Sequence, residues 1–372
     1  MDVVPVPVRV LIALLIALAG VLGVRSRLAA ASATRLERQR EQLLEDVGLL
    51  QTALLPVLPV RLGPVLTSAA YRPAAGPGAG GDFYDVFALE DGRIGVIVGD
   101  VSGHGREALP HTALVRFTLR AYLEAGLSPR GAVQTAGDVL ERQLGESFAT
   151  VVVATYQPRE RTLTYSCAGH PPPVVLGPAA DASPTATVTA CSAPPLGVGR
   201  RTGTRQTILS LPGRARLCFH TDGVTEARIS GELFGQQRLH ETLAALEPAA
   251  TAATLLDQVA EQTDRRPDDM AACMLSVDGA ARAPRVLVEE LELDREEATS
   301  DRTESFLTAC GVRRDEIAEI VRETREAAGR AGSVILRLGL DRDTPEVTLQ
   351  SDNLTYLPAR RASRQAALGA SR

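Results

Sequence analysis

The feature that most constrains this chain is a pair of glycine-flanked acidic motifs separated by one short apolar run. Gly80-Gly81-Asp82-Phe83-Tyr84-Asp85 comes first and Gly99-Asp100-Val101-Ser102-Gly103-His104-Gly105 second, with Arg93-Ile94-Gly95-Val96-Ile97-Val98 between them. The run is rich in β-branched residues and reads as a strand ending at Asp100. Asp91-Gly92 before it is a hairpin turn signal. Two strands joined by so short a loop set Asp82 and Asp100 side by side at one end of a sheet. The adjoining glycines leave room for an ion, its waters and a phosphate. Carboxylates converging on a small cavity repel one another unless a cation neutralises them. Oxygen donors with no Cys or His at ligand spacing point to a hard divalent ion, Mg²⁺ or Mn²⁺. The competing reading is two turns in which each Asp caps backbone N–H groups.

Two further acidic motifs lie downstream. In Phe219-His220-Thr221-Asp222-Gly223-Val224-Thr225-Glu226-Ala227 a strand ends at Asp222, and in Pro267-Asp268-Asp269-Met270 paired acids immediately precede a strand. Four strand ends each delivering an Asp favour a metal cluster over unrelated surface turns. Between Val65 and Val277 strands are expected at Ala149–Tyr156, Arg161–Cys167, Arg205–Leu211, Arg214–Thr221 and Met270–Val277. Helices are expected at Gly105–Ala125, Arg130–Leu144, Phe234–Leu246 and Ala250–Thr263. Helix pairs set between runs of strands indicate an α+β layered domain.

A chain of 372 residues can bury a full core and has room for two domains. Its net charge of -5 and aromatic fraction of 3% argue against a nucleic-acid partner and a base-stacking surface. Cys167, Cys191, Cys218, Cys273 and Cys310 are scattered without a C-x-x-C pair and read as buried free thiols.

The first 27 residues read as an uncleaved single-pass anchor. Val10 to Val24 is an apolar run preceded by Arg9 and followed by Arg25 and Arg27. Those arginines, with Arg35, Arg38 and Arg40, put the rest of the chain on the cytoplasmic side of the cell membrane. A cleaved signal peptide competes, because Leu28-Ala29-Ala30-Ala31-Ser32-Ala33 offers small residues for cleavage. Residues 28–55 follow as a helical linker. Leu36, Leu43 and Leu50 fall on one heptad position and Ala33, Val47 and Leu54 on the other. That seam would support a weak homodimer; the alternative is an amphipathic helix packed on the next domain.

Residues from about Gln51 to Val277 resemble the bacterial SpoIIE/RsbU branch of the metal-dependent PPM-type serine/threonine phosphatases. The resemblance rests on Tyr71-Arg72-Pro73-Ala74, the GGDFYD and GDVSGHG motifs, Ala168-Gly169-His170-Pro171-Pro172-Pro173, Pro195-Leu196-Gly197-Val198-Gly199, TDGVTEA and Asp268-Asp269-Met270. It implies an α-β-β-α sandwich over residues 56–278 with two Mn²⁺ or Mg²⁺ ions at one end of the strands. Asp82, Asp100, Asp222 and Asp268 would be the carboxylate ligands, joined by the Val101 carbonyl, with Asp268 or Asp269 left as a choice of register. The implied reaction is attack of a metal-bridging hydroxide on a phosphoserine or phosphothreonine. His104 could protonate the leaving alkoxide but reads better as a loop-ordering residue, as does His170, and Asp85 and Glu226 read as anchors of turns or ordered water.

After Val277 a strand (Val286–Leu293), helices (Glu296–Cys310, Arg314–Gly329) and strands (Val334–Leu340, Glu346–Gln350) are expected. This small α/β sandwich-like region, 284–359, is similar in order to the GHKL ATPase fold of anti-sigma-factor kinases. That family's Mg²⁺-binding Asn would fall near Glu326, and its adenine-binding turn is at best Asp352-Asn353-Leu354. The region therefore reads as a degenerate, non-catalytic adaptor, and residues 360–372 as a polar, disordered tail. The function these resemblances imply is dephosphorylation of a regulatory phosphoprotein, an anti-sigma-factor antagonist, in partner switching. The rival readings are a non-catalytic scaffold on the same fold and an active C-terminal nucleotide-binding module.

Overall fold

The computed structural model describes residues 55–73, 81–103, 108–177, 193–264, 268–277, 287–340 and 346–351 and the backbone of 360–361; before position 54 it describes only Gly20, Arg25, Arg27, Arg35, Glu37 and Arg38, all helical. Apart from those six residues and Leu55, the expected anchor and the heptad linker lie outside the described residues, as do residues 362–372 of the expected 360–372 tail, the Asp352-Asn353-Leu354 turn, His104 and Cys191. Among the described residues, no helix is long and apolar enough to cross a membrane.

The chain runs through β1 (Arg61–Leu62), β2 (Val65–Arg72), β3 (Phe83–Ala88) and β4 (Ile94–Val101) into α1 (Ala108–Glu124) and α2 (Pro129–Leu144). Next come β5 (Ala149–Gln157), β6 (Thr162–Ala168), β7 (Val174–Leu176), β8 (Arg205–Ser210) and β9 (Arg216–His220). A short α3 (Asp222–Glu226) leads into the small ribbon β10 (Arg228–Ile229) and β11 (Glu232–Leu233), then α4 (Gly235–Ala245), α5 (Ala252–Gln262) and β12 (Met270–Val277). The last part holds β13 (Leu287–Asp294), α6 (Arg302–Ala309), α7 (Arg314–Ala331), β14 (Ser333–Gly339), β15 (Glu346–Gln350) and β16 (Arg360–Arg361).

These strands form two main sheets, ordered β1-β2-β12-β9-β7 and β16-β15-β14-β13-β8-β6-β5-β4-β3. Side-chain alternation explains the layering. Val96 and Val98 of β4, Val152 of β5, Phe219 of β9 and Leu275 of β12 share the core between the sheets. Ile97, Val151 and Val153 point the other way, onto Leu119 of α1 and Leu140 of α2. Met270 and Ala272 on the outer face of the smaller sheet meet Leu239 of α4 and Val259 of α5. The product is the α-β-β-α sandwich expected from the sequence. Strands such as β5, covered on both faces, read as nearly continuous apolar runs for that reason. Local signals start the covering helices. Ser128 caps α2 by accepting from Gly131 N at 3.2 Å with Pro129 just inside, and Thr251 caps α5.

The strands beyond Val277 do not stand apart. β13 pairs antiparallel with β8, from Leu287 opposite Leu209 to Leu291 opposite Arg205, so the larger sheet runs on into the C-terminal part. Helices α6 and α7 cover this extension with a core of Leu291, Leu293, Phe306, Ile320, Leu336 and Leu338. Charges stitch the seam: Arg130 lies 3.5 Å from Glu290 and 3.3 Å from Glu292, and Arg201 lies 2.8 Å from Glu292 and 3.4 Å from Asp294. The single helix expected over Glu296–Cys310 is instead a 3₁₀ turn at Glu297–Thr299 followed by α6. Asp294 Oδ1 accepts from Glu297 N (2.8 Å) and Ser300 Oγ donates to Glu297 O (2.6 Å), and such local bonds compete with helix propagation.

Leu336 is fully buried on β14, so Leu336→Ala should lower stability by roughly 2–5 kcal/mol. Because one sheet carries both parts, calorimetry should show the main transition of the whole chain moving down. A separate early transition for the C-terminal strands would contradict a shared sheet.

Candidate metal centre

Asp82 directly precedes β3, and the β3–β4 register of Phe83 opposite Gly99 brings it across from Asp100, as the hairpin signal implied. Gly92, at φ 80°, supplies the turn. Val101 N donates to Gly81 O at 3.1 Å, closing the pair. A Cβ at Gly81 would overlap both the Val101 carbonyl oxygen and Asp100 Oδ1. Glycine is required there because two of the expected oxygen donors crowd its Cα.

The second pair of motifs meets the first through Thr221. Its Oγ1 donates to Asp82 Oδ2 at 2.7 Å and accepts from Ala271 N at 2.9 Å, while its own N–H donates to Ala271 O at 3.1 Å. Asp222 follows at once, in the first turn of α3 rather than at the end of β9. Gly223 admits the 268–269 turn, since a Cβ there would overlap the Asp269 carbonyl oxygen. Asp269 is buried and accepts from Tyr71 Oη at 2.5 Å; Asp268 is exposed and its Oδ1 accepts from Asp269 N at 2.8 Å. The five acids therefore lie at the adjoining ends of β3, β4 and β12 and in the first turn of α3.

Their electrostatics follow from crowding. Burial, then Asp100, pushes the Asp82 carboxyl well above its ordinary value, although the Thr221 hydroxyl pulls it back. Burial, followed by the charges of Asp222, Asp268 and Asp269, raises Asp100 to about 7. Asp222 is raised by burial and then by Glu226 and Asp268. Among the described residues no three His, Cys, Asp or Glu groups are drawn into a closed ligand set. The donors nonetheless fit a hard divalent ion: all are oxygens, and the cost that raises them is the like-charge repulsion and desolvation that a cation would relieve.

Other residues take different parts. Thr221 and Tyr71 carry no ligand signature in the sequence, yet each holds an acid of the cluster. The available signal was position, since Thr221 abuts Asp222 and Tyr71 lies in the Tyr71-Arg72-Pro73-Ala74 motif. Asp85 is neither a turn anchor nor part of the cluster. It is buried beneath α1, 3.3 Å from Arg120 and 3.9 Å from Arg116, and so fastens that helix to β3. His170 orders a loop as expected: Nδ1 lies 2.9 Å from Thr150 Oγ1, and Nε2 lies 3.0 Å from the His220 carbonyl, to which it can donate. Burial, helped by His220, pushes its pKa down to about 3, so the ring is neutral.

Raised carboxyls make the folded chain hold more protons than the unfolded chain between the ordinary 3.8 and about 7. The metal-free protein should therefore lose stability as pH rises through that window. Mn²⁺ or Mg²⁺ should restore it above pH 7, by about 2.7 kcal/mol at a hundredfold excess over Kd. Thermal melts in EDTA and in Mn²⁺ across that pH range measure both effects, and a flat metal-free profile would disprove the crowding.

Comparison with known proteins places this geometry. The family model described as Stage II sporulation protein E (SpoIIE) matches residues 90–278. Protein IcfG of Synechocystis sp. is 28% identical over 251 residues, which cover 56% of this chain and 36% of that protein. The phosphoserine phosphatase RsbP of Bacillus subtilis is 27% identical over 169 residues, covering 43% of this chain and 40% of its own length. The chain thus spans less than half the length of these relatives. Among solved structures, the SiaA-PP2C domain of Pseudomonas aeruginosa aligns with a TM-score of 0.55 at 20% identity, covering 65% of this chain and 98% of that one. The RsbU and RsbW domains of Rv1364c from Mycobacterium tuberculosis align with a TM-score of 0.50 at 23% identity, covering 77% and 83%. These likenesses show a PP2C-type phosphatase fold.

Proposed function

The chain belongs to the SpoIIE family and carries its PP2C-type phosphatase domain, and from that membership we propose that it is a metal-dependent serine/threonine protein phosphatase. Its substrate in this reading is a regulatory phosphoprotein of a partner-switching pathway, an anti-sigma-factor antagonist. The relatives named phosphoserine phosphatases support the reaction class. The observation that carries the reading is the meeting of four sequence-distant acidic motifs at Gly81, Thr221 and Gly223.

We assign Asp82, Asp100, the Val101 carbonyl, Asp222 and Asp268 to holding two divalent cations. Asp268 is preferred over Asp269 because Asp269 is buried and engaged by Tyr71. Cations bound there would lower the pKa of a water and balance charge on the phosphoryl oxygens. Thr221 fixes the orientation of Asp82, and Tyr71 that of the 268–269 turn. His170, held neutral, braces the strand end that delivers Asp222.

Asp82→Asn should abolish Mn²⁺-dependent hydrolysis of p-nitrophenyl phosphate while leaving the far-UV spectrum unchanged. Thr221→Val should raise the Mn²⁺ requirement by roughly 10–100-fold, as loss of a ligand-orienting partner does. Wild-type turnover in Asp82→Asn, or an unchanged Mn²⁺ requirement in Thr221→Val, would sink the assignment, and EDTA-resistant activity in the parent chain would sink the reading.

For the C-terminal part we propose a non-catalytic adaptor. Glu326, where the similar ATPases place their Mg²⁺-binding Asn, is exposed on α7 and paired with Arg322 at 2.7 Å. Titration calorimetry of the full chain with Mg²⁺-ATP should show no binding at micromolar affinity; such binding would overturn the adaptor assignment.

A further inference from the structure

Beside the acidic cluster the larger sheet carries a cavity of about 340 Å³ with Asp222 on its lining. Its floor is one cross-strand row: Tyr165 of β6 stands opposite Thr207 of β8, and Thr207 opposite Glu289 of β13. Arg205, two residues before Thr207, lines it as well, and Gln236 at the start of α4 closes one side. Two of the groups that hold the floor's arginine come from beyond Val277. Glu289 lies 3.8 Å from the Arg205 guanidinium and accepts from Thr207 Oγ1 at 3.0 Å, and the Phe306 ring of α6 lies 4.9 Å from Arg205 Cζ.

We propose that this cavity receives the polypeptide adjoining the phosphorylated residue, so that the C-terminal strands take part in choosing the substrate. The inference rests on the phosphatase reading and adds a binding surface to it. A phosphoryl group at Asp222 leaves its carrier chain beside the mouth of the cavity. The volume lies at the lower end of the roughly 300–1,000 Å³ typical of ligand pockets, which suits a short segment rather than a folded surface. Away from Asp222 the charges on the floor are opposed, Arg205 against Glu289, and the other lining groups are uncharged: the hydroxyls of Tyr165, Ser166 and Thr207, the amides of Gln206 and Gln236, two prolines, a thiol and a neutral imidazole. Uncharged side chains able to donate and accept hydrogen bonds fit such a floor. A Lys or Glu beside the phosphoserine would have to be desolvated against charges that already face each other.

The test uses the full chain with Mn²⁺ and two substrates, p-nitrophenyl phosphate and a short phosphoserine peptide flanked by Ser and Asn. Gln236 is exposed, so Gln236→Trp narrows the cavity without touching the core. It should raise KM for the peptide about tenfold while leaving p-nitrophenyl phosphate kinetics within about twofold, the pattern of lost substrate binding. Gln237→Trp, on the neighbouring exposed residue that does not line the cavity, should change neither. Peptides carrying Lys or Glu in place of the flanking Ser should bind the parent chain more weakly. An unchanged peptide KM in Gln236→Trp, or equal losses on both substrates, overturns the proposal. Fluorescence anisotropy of the labelled peptide makes the same comparison without turnover. Peptide binding that Gln236→Trp abolishes in a chain unable to hydrolyse either substrate would keep the cavity and discard the phosphatase reading.

Discussion

Repulsion among carboxylates is the constraint around which the sandwich is arranged. Asp82, Asp100, Asp222 and Asp269 are carried by separate stretches of chain, and burial alone would drive them apart or into their protonated forms. The backbone holds them together. Gly81 and Gly223 let strand ends approach to distances that any Cβ would forbid, and the Thr221 hydroxyl ties Asp82 to the β9–β12 ladder. The apolar layers on each side supply the rigidity, since strands filled on both faces cannot shift their ends independently. Close backbone approach and global packing therefore serve one end of the molecule.

Much of this was legible in the residues, and what was not has a physical reason. β12 was read to the residue because two acids stop its apolar run at one side, while β7, three residues long after a proline run, shows no periodicity to read. Three of the acidic motifs announced themselves through an adjoining glycine and the fourth through paired acids at the start of a strand. The roles of Thr221 and Tyr71 did not, because their partners lie 139 and 198 positions away in the chain. Asp85 misled for the opposite reason: it sits inside an acidic motif, yet side-chain alternation along β3 turns it away from the cluster and under α1. The break at Ser300 depended on hydrogen bonds from short polar side chains, which are invisible in hydrophobic spacing.

The least legible feature was the pairing of β13 with β8. Alternation identifies a strand but not its neighbour, and an antiparallel partner 82 positions away at Thr207 and Glu289 leaves no local trace. Only the acids of β13, Glu289 beside Arg205 on one face and Glu290 and Glu292 beside Arg130 and Arg201 on the other, hint in retrospect that basic neighbours were waiting.

That pairing also limits how this architecture can be cut or recombined. A fragment ended in the 278–286 stretch would leave β8 as an open edge, its unpaired N–H and C=O groups a template for any extended chain. The C-terminal part is thus a poor cassette. An exchange of modules between relatives would have to carry β8 and the arginines facing β13 along with it, so the natural unit of inheritance is the seam and not the stretch of chain between domains.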